Sequence, residues 1–348
     1  MRAKAECSMN RVPRLTSGIV FAHALLVLSL LPFTLQVYGQ SCQTAGDLDD
    51  ATRSAISGAA QRFYDLAAKG DAASIRQNSI PSLASDFSGI ESTVVGNKEN
   101  LAAAQPALKS VFLLETQGTA PSPHAEFYCG VFGKNGQTSN SAVFYLDNLP
   151  PGKYGIVILT LNSAKASLNF STVLQQAGSD WKLGGLYIRP SQVGGHDSEW
   201  FAARAREYKS KGQMHDAWFF FQQARALMQP LPFMSTMATD KIYDESQGLQ
   251  PADLPANGKM TDLAAGGTTY KLSDVFVQTV GSDLDLVVRY QTADASNTAT
   301  AYQNNLAVMK AFTAKYPEVR DAFAGMVARG VDPNGRDYGT LLAMKDIK

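Results

Sequence analysis

A chain of 348 residues, 45% apolar and 18% charged, is long enough for two or three domains and apolar enough to fill their cores. Lys plus Arg and Asp plus Glu stand equal at 31 each, and no basic stripe runs through the sequence, which argues against nucleic acid as a partner. Beyond the N-terminal segment, no apolar run approaches the length of a bilayer span.

The N-terminus has the order of a secretory signal. Arg2, Lys4, Arg11 and Arg14 precede an apolar stretch from Ile19 to Leu31; Pro32 breaks it, and Val37-Tyr38-Gly39 offers a cleavage site. The stretch is short for a membrane span, so cleavage after Gly39 is expected rather than an uncut anchor. Residues 1–39 carry four Lys/Arg and one Glu, so the remaining chain has a net charge near −3. Cys7 leaves with this segment. Cys42 and Cys129 stay as a pair, and an oxidising compartment would join them. Lipidation of Cys42 is the weaker alternative, because Gly39-Gln40-Ser41-Cys42 lacks an aliphatic residue three before the cysteine.

Residues 47–69 read as a helix: Ile56, Ala59, Ala60, Phe63, Leu66 and Ala67 fall at helical spacing, and Gly70 stands where a C-terminal cap belongs. A second helical piece follows over 71–80, ended by Pro81, and 81–104 is partly helical. From Val111 the period changes to short apolar or alternating runs: VFLLET, AEFYCGVF, SAVFYL, YGIVILTL, SLNFSTVLQQ and WKLGGLYIR. These predict an antiparallel sheet, with Asn135–Gln137 and Gly178–Asp180 as hairpin turns.

The helix AAQRFYDLAAKGD and the closing hairpin AGSDWKLGGLYIRP resemble the NTF2-like family, over residues 47–190. The resemblance implies a curved antiparallel sheet closed into a cone by helices. That family hosts isomerases, dehydratases, dimerisation modules and transport adaptors, so the fold alone selects no activity. DNLPPGKYGIVIL departs from it and is similar to turns of transthyretin-like sandwiches, which makes a β-sandwich the alternative. Tyr128, Tyr145 and Trp181 are the candidate ligand contacts if the sheet encloses a pocket; otherwise they are core.

Residues 196–230 resemble one tetratricopeptide-type helical hairpin, carried by Phe201, Ala205, Tyr208, Gly212, Ala217, Phe221 and Ala224. A lone pair of this kind must pack on something else, and the preceding β domain is the expected surface. His196-Asp197-Ser198-Glu199 reads as a helix start, with Asp197 or Ser198 as cap, rather than a catalytic cluster. The run WFFF covers more than one helix face, so Trp200, Trp218 and Phe219 are candidate partner contacts unless another domain covers them.

Residues 231–257 form a proline-rich connector with a short helix over 240–247. Residues 258–348 predict a second, small α+β domain: a hairpin turned by Gly266-Gly267, the strand DLDLVVRYQT, a helix over 298–316 stopped by Pro317, and a last hairpin across PNGR. No metal-ligand spacing, calcium loop, phosphate loop or nucleophile elbow occurs, so neither metal nor cofactor is expected. The fold class is α+β throughout. The expected function is that of an exported, noncatalytic binding or scaffolding protein of the bacterial envelope, with another envelope protein as the candidate partner. The alternatives are an NTF2-like hydrolase or isomerase acting on a small apolar molecule, and a carbohydrate-binding protein.

Overall fold

The computed structural model describes residues 39–132, 136–163 and 166–348. The expected export segment up to Tyr38, and Asn135 of the expected Asn135–Gln137 turn, lie outside the described residues.

Strand β1 (Gln40–Thr44) precedes four helices, α1 (Asp50–Lys69), α2 (Ala72–Gln77), α3 (Pro81–Ser85) and α4 (Ser88–Ala102). Asp49 caps α1 by accepting from the Thr52 backbone N–H at 2.7 Å, and Gly70, at φ 73°, closes it in the left-handed conformation that glycine adopts without penalty. Pro81 does not end α2. It opens α3, at a position where its missing N–H costs nothing. Six strands follow: β2 (Gln105–Thr116), β3 (Ser122–Cys129), β4 (Ala142–Leu149), β5 (Gly152–Asn162), β6 (Ser167–Ala177) and β7 (Asp180–Pro190).

These strands divide between two sheets. One runs β1-β2-β5-β6-β7, antiparallel throughout. Alternation sends Val111, Leu113, Val157, Leu159, Phe170 and Leu183 to one face, under α1 and α4, and Phe112, Leu114, Tyr154, Ile156 and Ile158 to the other. Gly155 makes the first contact close: a Cβ there would lie 2.7 Å from Ile56 of α1. The second face is covered by β3 and β4, which bring Ala125, Phe127 and Phe144; Phe112 and Phe144 meet edge to face at 5.1 Å. The result is three layers, helices, large sheet and small sheet. The Cys42–Cys129 disulfide is formed, with Cα atoms 5.0 Å apart, and fastens β1 of one sheet to β3 of the other.

A two-stranded ribbon, β8 (Gln192–Val193) and β9 (His196–Asp197), leads into α5 (Ser198–Ser210) and α6 (Met214–Met228). Asp197 caps α5 as expected, accepting from Trp200 N–H at 3.0 Å. The connector carries β10 (Met234–Ser235), which adds to β4 and completes a three-stranded sheet, and α7 (Met237–Ser246), opened by a capping box between Thr236 and Thr239.

The C-terminal sheet holds β11 (Thr261–Ala265), β12 (Thr268–Val280), β13 (Asp283–Gln291), β14 (Gly325–Val331) and β15 (Asp337–Ala343) in sequence order. Gly266 and Gly267, at φ 56° and 86°, make the expected tight turn between β11 and β12. Between β13 and β14 lie α8 (Thr298–Lys315) and α9 (Val319–Ala322), and this crossover makes β13 and β14 a parallel pair in an otherwise antiparallel sheet. The chain ends in a short 3₁₀ turn, Met344–Asp346. The fold class is α+β, with helices and open, largely antiparallel sheets.

One packing expectation is corrected. The α5/α6 pair does not bury its main face on the preceding β domain. Phe201, Tyr208, Phe219, Phe220 and Phe221 share one core with Leu286, Phe312, Phe323 and Met326 of the C-terminal part. The reason lies in WFFF: three consecutive phenylalanines need an apolar surface on more than one side, and the 319–326 region supplies it, with Phe323 within 6 Å of both Phe219 and Phe220. Only the tail that follows α6 reaches the N-terminal layers, where Leu231 and Met234 join the core between the two sheets.

Candidate functional site

The partial separation of the α5/α6 pair from the first domain leaves space. A cavity of about 470 Å³ lies between the outer face of the large sheet, the 139–141 loop, the first turns of α5 and α7 and the end of α6. Its size falls in the range of small-molecule sites, roughly 300–1,000 Å³. Phe112, Ile158, Leu227, Met228, Pro230 and Met234 form its apolar wall.

Two polar groups in it are placed by specific features of the sheet. Strand β2 shifts register against β5 between Leu108 and Ser110, so Lys109 is an extra residue in a bulge. In a regular strand Lys109 would alternate with Ser110 and face the helices. The bulge instead turns both toward the cavity. Lys109 keeps access to solvent, yet surrounding protein atoms push its ammonium below the ordinary lysine range, with no carboxylate acting to restore it. A neighbouring cleft of about 410 Å³, reaching toward Asp47 and Gly130, is lined by Lys109, Ser110 and Phe112 as well.

Asn169 on β6 is the second group. It is 1% exposed, lines the cavity, and its side-chain oxygen has no hydrogen-bond partner. A buried acceptor left unpaired costs free energy, and this oxygen is also closed to a water-sized probe, so the cost is internal to the fold. Lys109 and Asn169 stand on strands either side of β5, which are roughly 9.5 Å apart, and they are offset along those strands, since Asn169 lies opposite Thr160 and Lys109 lies between the partners of Leu159 and Ile158. Ser198 and Glu199 close the rim at the start of α5; Glu199 is exposed and sits against the positive end of that helix.

No protein-family model, no curated protein and no solved structure matches this chain. The chemistry of the cavity is therefore the guide to its ligand.

The expected ligand contacts fall elsewhere. Trp181 is 7% exposed and packed against Ile56 over Gly155, in the helix-side core. Tyr128 and Tyr145 are not core: they are 44% and 49% exposed on the outer face of the small sheet. Alternation puts them there, since Phe127 and Phe144 take the inner positions. Tyr128 donates to Glu126 at 2.5 Å and lies beside Phe132, while His124 meets Asp147 at 2.7 Å on the same face. Glu126 is exposed, so the carboxylate that these tyrosines meet on this face is a solvated one.

Of the expected partner contacts, Phe219 is 2% exposed and faces Phe323, so the fold uses it internally. Trp218 is half-buried and lines a cleft against β12 with Val275 and Phe276. Trp200 is 36% exposed and stacks on His196 at 3.8 Å.

The start of α6 holds a different polar cluster. His215 bridges Glu318 at 3.0 Å and Asp253 at 3.1 Å. Beside it, Asp216 is fully buried and neither carboxylate oxygen has a partner. Burial, reinforced by the charges of Glu318 and Asp321, pushes its carboxyl up to about 7. Among the described residues no group of three or more His, Cys, Asp or Glu could hold a metal ion, and no helix is long and apolar enough to cross a membrane.

Sequence reasoning missed Lys109 and Asn169. A signal was present for the first. Lys109-Ser110 puts two polar residues together just before VFLLET, where strict alternation allows one, and that doubling is what a bulge accommodates. Asn169 stands between Leu168 and Phe170, and nothing local distinguishes it from a partnered core amide.

Proposed function

We propose that this chain is an exported, noncatalytic binding protein of the bacterial envelope, built from an NTF2-like α+β domain, a tetratricopeptide-like helical hairpin and a C-terminal α+β domain. Its ligand site is the cavity where these parts meet. The observation that carries the reading is the cavity's inventory: an apolar wall, a rim of hydroxyls and an unpaired lysine. These groups suit holding a molecule, and the formed Cys42–Cys129 disulfide supports a periplasmic or secreted location.

The test is a titration of methyl-labelled protein with a panel of small amphipathic molecules. Met228, Met234 and Met237 line the cavity, so their methyl signals should shift in a saturable way with at least one class. Shifts confined to other methionines, or none at all, would remove the site from the reading.

A second reading, carbohydrate binding, draws on the exposed face that carries Tyr128, Tyr145 and Phe132. Flat exposed aromatics next to hydrogen-bonding groups are the surface that sugar rings stack on. It requires Tyr128→Ala and Tyr145→Ala to reduce retention on a polysaccharide matrix; equal retention counts against it.

A further inference from the structure

Helix α6 carries Trp218, Gln222 and Ala226 at successive turns, with Phe219 and Gln223 one position further on, so they share one stripe. That stripe lines a cleft of about 450 Å³ against β12 and the 250–257 stretch of the connector. Pairing of β11 with β12 stops at Leu272, and a bulge at Ser273 puts Val275 rather than Asp274 on the buried face, so Asp274 stands at the cleft beside an open strand edge. Gln223 is the decisive group. It is 6% exposed, yet among the described residues its amide has no hydrogen-bond partner, and neither its oxygen nor its nitrogen is sealed from the cleft. A buried amide in that state costs stability, which a ligand offering both a donor and an acceptor would recover. Gln222, Gln250 and Asn257 add further amides around it, and no other ring among the described residues stacks on the Trp218 indole. The lining includes no Lys, Arg or His, and Asp274 is its lone charge, so an anion has nothing to meet. A cation would satisfy Asp274 and the indole but leave the amide N–H groups unspent. A hydroxyl both donates and accepts, and so matches both ends of an amide.

We propose that this cleft binds a neutral saccharide, with the C–H face of one ring on the Trp218 indole and ring hydroxyls on Gln223, Gln222 and Asn257. The site shares no lining residue with the cavity beside Lys109 and stands whether or not that cavity holds a ligand. Tyr128 and Tyr145 belong to β3 and β4 and lie outside it.

Calorimetric titration of the intact protein tests this, with cellobiose, maltose and N,N′-diacetylchitobiose set against tetramethylammonium and a blocked tetrathreonine peptide, which would pair with the open edge of β12. At least one disaccharide should bind saturably and move the indole N–H signal of Trp218 while leaving those of Trp181 and Trp200 in place. The cation and the peptide should bind at least tenfold more weakly. Gln223→Leu and Trp218→Leu should each weaken that disaccharide at least tenfold, and Trp218→Phe only a few-fold. Gln222 is half-buried, so Gln222→Ala spares the core and should still weaken binding a few-fold. No binding by any of the disaccharides, affinity indifferent to Gln223→Leu and Gln222→Ala, or tighter binding of the cation or the peptide overturns the proposal. Loss of binding on Tyr128→Ala with the cleft variants unaffected moves the sugar to the small sheet and overturns it as well.

Discussion

At the residue scale, Asp216 is a group that the fold holds at a cost. It is fully buried, with both carboxylate oxygens unpartnered, and faces the charges of Glu318 and Asp321 near the His215 bridge. Its carboxyl titrates near 7 when folded, against an ordinary value of 3.8. Between those values the folded chain binds the extra proton, so Asp216 makes stability fall as pH rises from about 4 to about 7 and then level off. Asp216→Asn keeps the shape and removes the charge. Urea unfolding should find the variant more stable at pH 8, by roughly 4 kcal/mol, and near parity at pH 4. A variant equally or less stable at pH 8 would contradict this account. None of it could be read from the sequence, where Asp216 looks like any acid in the first turn of a helix. Its burial comes from residues a hundred positions away.

At the element scale, the periodicity of the chain located most helices and strands, because α1 and α8 bury one face, β3 alternates from His124 onward, and β2 and β5 of the large sheet read as short apolar runs buried on both faces. It set the start of β2 too late. Residues 105–110 pair with β5 beyond the reach of β1, on an open edge where Pro106 and exposed Leu108 are tolerated. It also missed β1, five residues of alternating half-burial held by the strand beside them and by Cys42. The cysteine pair itself was legible, since the even count beyond the expected export segment required no geometry. The disulfide closes a loop of 87 residues, and chain entropy assigns such a crosslink about 4.6 kcal/mol. Cys129→Ser should therefore lower the urea midpoint markedly, and reducing agent should bring the natural chain to the same value. A natural chain whose midpoint ignores reduction would show that the two sheets need no staple.

At the scale of the whole molecule, the fold class was legible and the docking was not. Pattern marks which side of a helix is apolar, but not which of two neighbouring domains meets it. The α5/α6 pair chose the C-terminal side because Phe219, Phe220 and Phe323 fit together there. Removing residues 258–348 should therefore expose the phenylalanines of α6. A chain ending at residue 257 is expected to bind a hydrophobic dye and self-associate in size-exclusion chromatography, and a monomeric, dye-silent product would contradict the shared core. This docking also determines what the cavity is made of. Its walls come from β2, β5, β6, α5, α6 and the start of α7, stretches up to 129 positions apart in sequence from Lys109 to Ala238. No unfolded or half-docked chain contains it. A molecule that occupies it acts as a thermodynamic clamp across the seam, adding about 2.7 kcal/mol to stability at a hundredfold excess over its dissociation constant.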